Sequence, residues 1–270
     1  MKIALCQLHV SCHKDDNIER AKQMLYDAAA RGAAMAILPE MFCIAYVQEL
    51  FRAAAEPCPG GDCAQMLSAA AKQTGMFVIG GSVPELSDGK IYNTGMSFGP
   101  DGSFLGKYRK AHLFDIDVPG KIRFIESETI TKGDGYPLMI DAPMKTGVEI
   151  CFDIRFPEWA RFIMIKGADI LALPAAFSLN TGPRHWELLL RARALDNQLF
   201  VAAVSPARSK SAYGHSILVS PDGAVLHDCK DDEGCAIVDA DPALLEEMRQ
   251  SIPVRTARRD DLYTLQAGKQ

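Results

Sequence analysis

The sequence alternates short apolar or β-branched runs with amphipathic stretches along most of its length. Runs such as KIALCQL near the start and QLFVAAVSP before residue 206 have the composition of buried strands. Between such runs, the helical spacing of apolar residues predicts helices over 16–31, 62–74, 157–166 and 184–197. This alternation is typical of the α/β fold class.

Two Pro-Asp-Gly turns indicate that the sheets are not wholly parallel. FGPDGSFLG and SPDGAVL each place this tripeptide between extended runs, where Pro sets φ and Gly accepts a positive φ, so each predicts an antiparallel hairpin. With about a dozen strands and no Gly/Ser-rich linker, the best fit is a four-layer αββα sandwich, two mixed β-sheets flanked by helices. We expect one domain over 1–270, with 250–270 as a C-terminal tail.

Composition restricts the partners and the compartment. The formal net charge is −5, and no basic run is interleaved with aromatic residues, so nucleic acid is not an expected partner. No apolar run reaches the roughly 18 residues of a membrane-spanning helix, and the opening MKIALCQLHV reads as a first strand rather than a signal peptide. Eight cysteines without an export signal indicate reduced thiols, and none forms a C-x-x-C pair. We expect a cytoplasmic protein with no metal and no membrane contact.

Three predicted strands end in reactive side chains, namely Glu40, Lys110 and Cys151. Reactive groups in α/β folds gather where strands end and loops begin. Each residue alone has a structural explanation, because a carboxylate suits a helix start, a lysine suits the surface and a free cysteine suits the core. Together they supply a nucleophilic thiol, an ammonium that favours the thiolate and a carboxylate that accepts the proton. The combination predicts nucleophilic catalysis by the cysteine.

The segments around these residues resemble a known family. LPEMF, YRKAHLFD and ICFDIRFPE are similar to the three signature segments of the nitrilase superfamily of carbon-nitrogen hydrolases, in the family's order. The longer segments KYRKAHLFDIDVPGKIRFIES, FSLNTGPRHWELLLRARALDNQ and SIPVRTARRDDLY are most similar to its omega-amidase branch. The resemblance implies that a small 2-oxo acid amide, such as 2-oxoglutaramate or 2-oxosuccinamate, is hydrolysed to the acid and ammonia. It implies a thioester intermediate, no cofactor, and a homodimer contacted by the tail.

The resemblance also implies roles for individual residues. Cys151 is the nucleophile, Glu40 serves as base, acid and base again, and Lys110 holds the oxyanion together with the backbone N–H of Phe152. Glu126 matches a second glutamate near the lysine, where it orients Lys110 or water, or forms only a structural ion pair.

Substrate-binding residues are predicted less directly. A 2-oxo acid carries a carboxylate far from its amide, and the guanidinium fork of Arg155 suits that group, although a structural ion pair is the alternative. Tyr46, Thr181 and His185 lie in segments that resemble the family's pocket-forming loops.

Glu149 departs from the family's pattern, because many members carry a small residue two positions before the cysteine. Side chains alternate along a strand, so an unbroken strand ending in VEIC predicts that Glu149 and Cys151 point to the same face. A carboxylate there would oppose thiolate formation.

Three other functions stay open at this point. Another amidase of the superfamily would act on an N-carbamyl compound, an aliphatic amide or a deaminated peptide, and a nitrile is attacked by the same thiolate. A non-catalytic binding protein on the same scaffold is the alternative from a different class. A protease-like pairing of Cys151 with His112 is disfavoured, because the sequence lacks the local signatures of cysteine proteases.

Overall fold

The structure, a computed structural model, describes residues 1–120 and 122–265. Over these ranges it contains six α-helices and fifteen strands. The helices α1 to α6 are Lys14–Ala30, Gln48–Ala54, Asp62–Thr74, Pro157–Ile165, Gly182–Asn197 and Pro242–Ser251. The strands β1 to β8 are Lys2–Gln7, Met35–Ile37, Phe77–Ile79, Val83–Ser87, Lys90–Phe98, Phe104–Arg109, Asp115–Val118 and Ile122–Ile125. The strands β9 to β15 are Leu138–Ile140, Thr146–Val148, Ile170–Pro174, Phe200–Val204, Ile217–Val219, Val225–Asp228 and Gly234–Asp239.

The strands form two large sheets and a separate hairpin. The first sheet has the order β15-β1-β2-β3-β5-β4, with β6 also paired to β5, and the second has the order β14-β13-β12-β11-β10-β9. Strands β1 to β3 are parallel, as are β10 to β12, and antiparallel strands flank both groups. The two Pro-Asp-Gly turns join β5 to β6 and β13 to β14, with Gly102 and Gly223 at φ of 82° and 83°. The predicted mixed sheets are confirmed.

The sheets pack face to face between two helical layers. In β1, the side chains of Ile3 and Leu5 enter the core between the sheets, whereas Ala4 and Cys6 face the helical side. Helices α1 and α3 cover the first sheet, and α4 and α5 cover the second. This is the predicted four-layer αββα sandwich, in which both sheets are buried on both faces.

Several elements were not predicted from the sequence. Helix α2 has only seven residues, and α6 begins where Asp241 caps it by accepting a hydrogen bond from Ala243 N at 3.0 Å. The hairpin of β7 and β8 alternates charged and apolar residues. From the sequence, this segment was recognised only by its resemblance to the family, and no strands were predicted in it. Among the helices in the described ranges, none has the length and apolarity needed to cross a membrane.

The segment predicted as a tail lies across the second helical layer of its own chain as far as it is described. Arg255 donates from Nη2 to the carbonyl of Ala168 at 2.6 Å, and the Arg258 side chain is only 12% exposed. Ile252, Leu262 and Tyr263 are exposed on its outer side. Residues 266–270 of the predicted tail lie outside the described residues.

Candidate active site

The loops that follow β2, β6 and β10 bring the three predicted catalytic side chains together. Lys110 follows β6 directly, and its Nζ lies 2.9 Å from Glu40 Oε1, with both side chains fully buried. The Cys151 thiol interacts with both groups, since each of them changes its pKa. Residues that are 41 to 111 positions apart in sequence therefore form one cluster.

Cys151 sits on a sharp turn rather than on the end of a strand. Strand β10 ends at Val148, and Cys151 opens a 3₁₀ turn with φ of 48°, which is rare for a residue with a side chain. Asp153 fixes this turn by accepting hydrogen bonds from the N–H of Ile150 and from the N–H of His112, each at 3.0 Å. Cys151 is thus anchored to the segment that carries Lys110.

Glu126 lies on the other side of the lysine and is satisfied by hydrogen bonds. Its Oε2 lies 2.9 Å from Lys110 Nζ and accepts the N–H of Phe114 at 2.6 Å, while Oε1 accepts the Tyr46 hydroxyl at 2.8 Å. Tyr46 OH also lies 3.3 Å from Glu40 Oε1, so this predicted pocket residue belongs to the cluster itself.

Glu40 differs from Glu126 because one of its oxygens is free. Oε1 receives Lys110 Nζ, but Oε2 is buried and has no hydrogen-bond partner among the described residues. A buried acceptor without a partner is rare in folded proteins, and Glu40 Oε2 differs from the other such oxygens in belonging to the cluster around the thiol. The Cys151 thiol is the neighbouring proton donor, and its interaction with Glu40 contributes to the pKa of both groups.

Asn93 is a member of the cluster that sequence reasoning missed. Its Nδ2 donates to Glu40 Oε1 at 2.8 Å and lies 3.4 Å from Glu126 Oε1. The signal was present, because Asn93 interrupts the apolar run of β5, and a buried amide requires partners.

Burial and neighbouring charges shift the pKa values of all three predicted catalytic groups. Burial and then Glu40 raise the pKa of Cys151 well above its usual range, against the opposing effects of Lys110 and the backbone N–H of Ala176. Burial raises the pKa of Glu40, and Glu126 adds to this rise while Lys110 opposes it. Burial alone would lower the pKa of Lys110, but Glu126 and Glu40 outweigh it and raise that pKa. Lys110 thus acts on the thiol in the predicted direction, but burial and Glu40 outweigh it.

Two adjoining cavities lie next to the cluster, and Cys151 lines one of them. The first is lined by Cys151, Phe152, Arg155, Phe177 and Thr181, among others. The second has a volume of about 300 Å³ and is lined by Tyr46, Phe114, Phe124, Ala176, Ser178, Leu179, Asn180, Lys210 and Ser211. Phe114, Ala176 and Ser178 line both, so the two cavities adjoin. The cavity at the thiol is small, about 20 Å³, and the larger one lies beside it between aromatic side chains.

Arg155 contributes a cation to this space without an acidic partner. Its Nη2 lies 3.2 Å from His185 Nδ1, and its guanidinium lies 5.6 Å from the ring of Phe152 and 5.4 Å from that of Phe177. No carboxylate in the described ranges is placed within ion-pair distance of it, so the structural ion-pair alternative was wrong. Thr181 lines the same cavity, whereas His185 lies against Arg155.

Glu149 does not join the catalytic cluster. Because β10 stops at Val148 and the chain turns at Cys151, the alternation expected for an unbroken strand was wrong. Burial and Asp153 raise the pKa of Glu149 well above its usual range, and Arg193 opposes them. Its carboxyl group is fully buried without a hydrogen-bond partner in the described part of the chain, an environment that favours the protonated form.

Comparison with known proteins adds to this geometry. The family model described as carbon-nitrogen hydrolase matches residues 2–250. The chain belongs to the carbon-nitrogen hydrolase family. It is therefore an enzyme that hydrolyses carbon–nitrogen bonds, and the predicted membership of the nitrilase superfamily is confirmed.

Individual relatives match almost the whole chain. The chain is 47% identical over 99% of its length to omega-amidase NIT2-B of Xenopus laevis, covering 98% of that protein. Human omega-amidase NIT2 is 46% identical over the same shares. Among solved structures, Nit3 of Saccharomyces cerevisiae, a member of branch 10 of the nitrilase superfamily, has a TM-score of 0.88 at 38% identity, with 96% of each chain covered.

Proposed function

We propose that the protein is a cysteine-dependent amidase that hydrolyses the terminal carboxamide of a small 2-oxo acid amide to the acid and ammonia. The observation that carries the proposal is the free Oε2 of Glu40 beside the Cys151 thiol, at one end of a cavity that also holds the unpaired Arg155. The omega-amidase relatives support the same substrate class.

The proposed reaction begins with proton transfer. Glu40 takes the thiol proton through its free oxygen as Cys151 Sγ attacks the carboxamide carbon. Transfer within the pair moves a negative charge from carboxylate to sulfur, so the buried cluster keeps its total charge. Attack that is coupled to this transfer avoids a resting thiolate, which the raised pKa of Cys151 disfavours.

The attack converts the carbonyl oxygen to an oxyanion, for which Lys110 and the N–H of Phe152 are the proposed donors. Lys110 Nζ makes two short hydrogen bonds, to Glu40 Oε1 and Glu126 Oε2, each at 2.9 Å. Its remaining contacts are longer, at 3.2 Å to Glu126 Oε1 and 3.4 Å to the Tyr46 hydroxyl. The N–H held only by these longer contacts is the proposed donor to the oxyanion. Glu40 then protonates the leaving ammonia, and a thioester on Cys151 remains. Water activated by Glu40 hydrolyses the thioester.

The far end of the cavity supports the choice of substrate. Among the described residues, the two cavities are lined by the cations Arg155 and Lys210, and neither wall contains a carboxylate. Arg155 is the proposed partner of the substrate carboxylate. A 2-amino acid amide such as glutamine would bring an ammonium into this cationic space without an acidic partner, whereas a 2-oxo group carries no charge.

Side-by-side turnover tests the proposal. Ammonia release is measured with 2-oxoglutaramate, 2-oxosuccinamate, glutamine, an N-carbamyl amino acid, a simple aliphatic amide and an aliphatic nitrile. We expect kcat/KM to be highest for the two 2-oxo acid amides. For glutamine it should be at least about 100-fold lower, because the site offers its ammonium no acidic partner. A higher kcat/KM for the carbamyl compound or the aliphatic amide would assign the protein to another amidase class. Absence of turnover with all six would favour a non-catalytic binding protein.

We also propose a single domain that pairs as a cytoplasmic homodimer through its second helical layer. Leu188 and Leu195 on α5 are 68% and 46% exposed, and Leu262 and Tyr263 of the tail are also exposed. Apolar side chains grouped in this way favour burial against a second copy. Sedimentation should show a dimer for the wild-type enzyme and a larger dimer dissociation constant for Leu188→Asp. A wild-type enzyme that sediments as a monomer would contradict the pairing.

A further inference from the structure

Two cysteines outside the catalytic cluster face each other at the edge of the first sheet. Cys6 on β1 is directly opposite Cys235 on β15, and the two Sγ atoms are 3.9 Å apart. Strand β15 is the last strand on this side of the sheet. The catalytic mechanism uses neither thiol.

The register of the two strands places this pair where a disulfide fits. Met1 and Ala240 exchange both backbone hydrogen bonds, at 2.7 and 2.9 Å, so theirs is a hydrogen-bonded pair. Pair types alternate along antiparallel strands, and five steps further the Cys6–Cys235 pair is of the non-hydrogen-bonded type. Cα atoms in such pairs are about 4.5 Å apart, within the range of about 4.4–6.8 Å found for disulfides.

The two thiols differ in access and in acidity. Cys6 is fully buried, whereas Cys235 lines an open groove of about 660 Å³ between α1 and β15. The hydrogen bond with Cys6 lowers the pKa of Cys235 against the opposing effect of burial, and the charge of Arg31 lowers it further. The Arg31 guanidinium is fixed nearby, because its Nη1 donates to the Cys235 carbonyl at 2.7 Å. Because Cys235 is the accessible thiol and Cys6 the buried one, we assign Cys235 as the attacking thiol and Cys6 as the resolving thiol.

We propose that Cys6 and Cys235 form a thiol redox site that hydrogen peroxide converts to a reversible disulfide. The Cys235 thiolate attacks one peroxide oxygen, the O–O bond breaks, and the leaving hydroxide takes up a proton to become water. Cys6 Sγ then attacks the sulfenic sulfur of Cys235, and the S–O bond breaks. The departing hydroxide takes the Cys6 proton and leaves as a second water. The two sulfurs lose two electrons, and the peroxide gains them.

A second pair of thiols provides an internal control. Cys43 is close enough to Cys63 to raise the pKa of Cys63, but both are fully buried, and neither lines the groove. The folded enzyme is treated with hydrogen peroxide, its remaining thiols are alkylated, and its peptides are mapped by mass spectrometry without reduction. We expect a peptide joining Cys6 to Cys235 that disappears after reduction, while Cys43 and Cys63 stay unoxidised.

Variants separate this site from general oxidation. In Cys6→Ser, a sulfenic-acid probe should label Cys235 at least about tenfold more than the isolated, exposed Cys12. Cys235→Ser should lose the cross-link and keep the amidase activity of the reduced enzyme. In the wild type, the disulfide joins residues 229 positions apart, so the thermal midpoint should rise on oxidation and return on reduction. A Cys229–Cys235 cross-link, equal labelling of Cys12 and Cys235, or no cross-link while Cys12 oxidises would each overturn the proposal.

Discussion

The two faces of β6 carry two clusters of charged side chains that differ in their ratio of cations to carboxylates. Lys107 and Arg109 point to one face and bind Glu85, whereas Lys110, just beyond the strand, reaches Glu40 and Glu126 on the other. On the first face two cations surround one carboxylate. On the second face one cation stands between two carboxylates.

The ratio of charges decides what each cluster does. Glu85 receives two hydrogen bonds from Arg109 at 2.8 Å, one from Lys107 and one from Thr94. Although burial opposes it, hydrogen bonds from Arg109 and Lys107 lower the pKa of Glu85 from 4.5 to about 2. Glu40 has the opposite balance, with a raised pKa and a free oxygen. A saturated carboxylate stabilises the sheet, and an unsaturated one is available for proton transfer.

The largest expected difference between the faces is in the response to removing a carboxylate charge. Glu40→Gln removes the proposed base and should lower kcat for 2-oxoglutaramate about 10³-fold or more, within the range known for general bases. Glu85→Gln is the matched control, and its kcat should stay within about twofold of wild type, because Glu85 has no contact with the cavity. Steady-state ammonia release measures kcat for both variants. Comparable losses of kcat in Glu40→Gln and Glu85→Gln would contradict the different roles of the two clusters.

Removing a lysine from each face should give the next largest difference. Lys110→Gln should lower kcat by about 10²- to 10³-fold through loss of an oxyanion donor. Lys107→Gln should leave kcat nearly unchanged. Because Lys110→Gln leaves two buried carboxylates unpaired, thermal unfolding is recorded alongside, and Lys110→Arg serves as a charge-preserving second variant. A Lys110→Gln enzyme that folds and works at the wild-type rate would remove the lysine from the proposed mechanism.

Asn93 tests whether Glu40 is tuned by its hydrogen bonds. Asn93→Leu removes a donor to the charged form of Glu40, which should raise the pKa of Glu40 further. Since the base must be ionised, the acid limb of kcat/KM against pH should move to higher pH, with a loss of about tenfold at pH 6. The profile is measured beside that of wild type. An unmoved acid limb together with a lower thermal midpoint would show that Asn93 is only structural.

The smallest expected effect concerns stability at low pH on the Glu85 face. The pKa of Glu85 is lowered in the folded state, so the unfolded state binds its proton first as pH falls. Its stabilisation is present above about pH 4.5 and is lost as pH falls toward about 2. Urea unfolding of wild type against Glu85→Gln should show a difference of roughly 1–2 kcal/mol at pH 6 that shrinks in this window. A difference that does not depend on pH would contradict the charge argument.

Much of this fold and site is visible in the sequence, for physical reasons. Strands buried on both faces leave apolar runs, the Pro-Asp-Gly turns mark hairpins, and Glu40, Lys110 and Cys151 interrupt an otherwise apolar pattern. The ratio of cations to carboxylates in each cluster could not be predicted, because it depends on which side chains the fold brings into contact. Neither the neutralisation of Lys110 by Glu126 nor the turn that separates Glu149 from Cys151 follows from residue spacing.

In the proposed mechanism, the buried cluster at Cys151 carries out amide hydrolysis. The most direct test is mass spectrometry of enzyme quenched in acid at millisecond intervals during turnover of 2-oxoglutaramate, followed by peptide mapping. In the wild type we expect an acyl group of the substrate bound through a thioester to the peptide that contains Cys151. In Cys151→Ala we expect neither the adduct nor ammonia release. Ammonia release that persists in Cys151→Ala, or an acyl group found on a different residue, would contradict it.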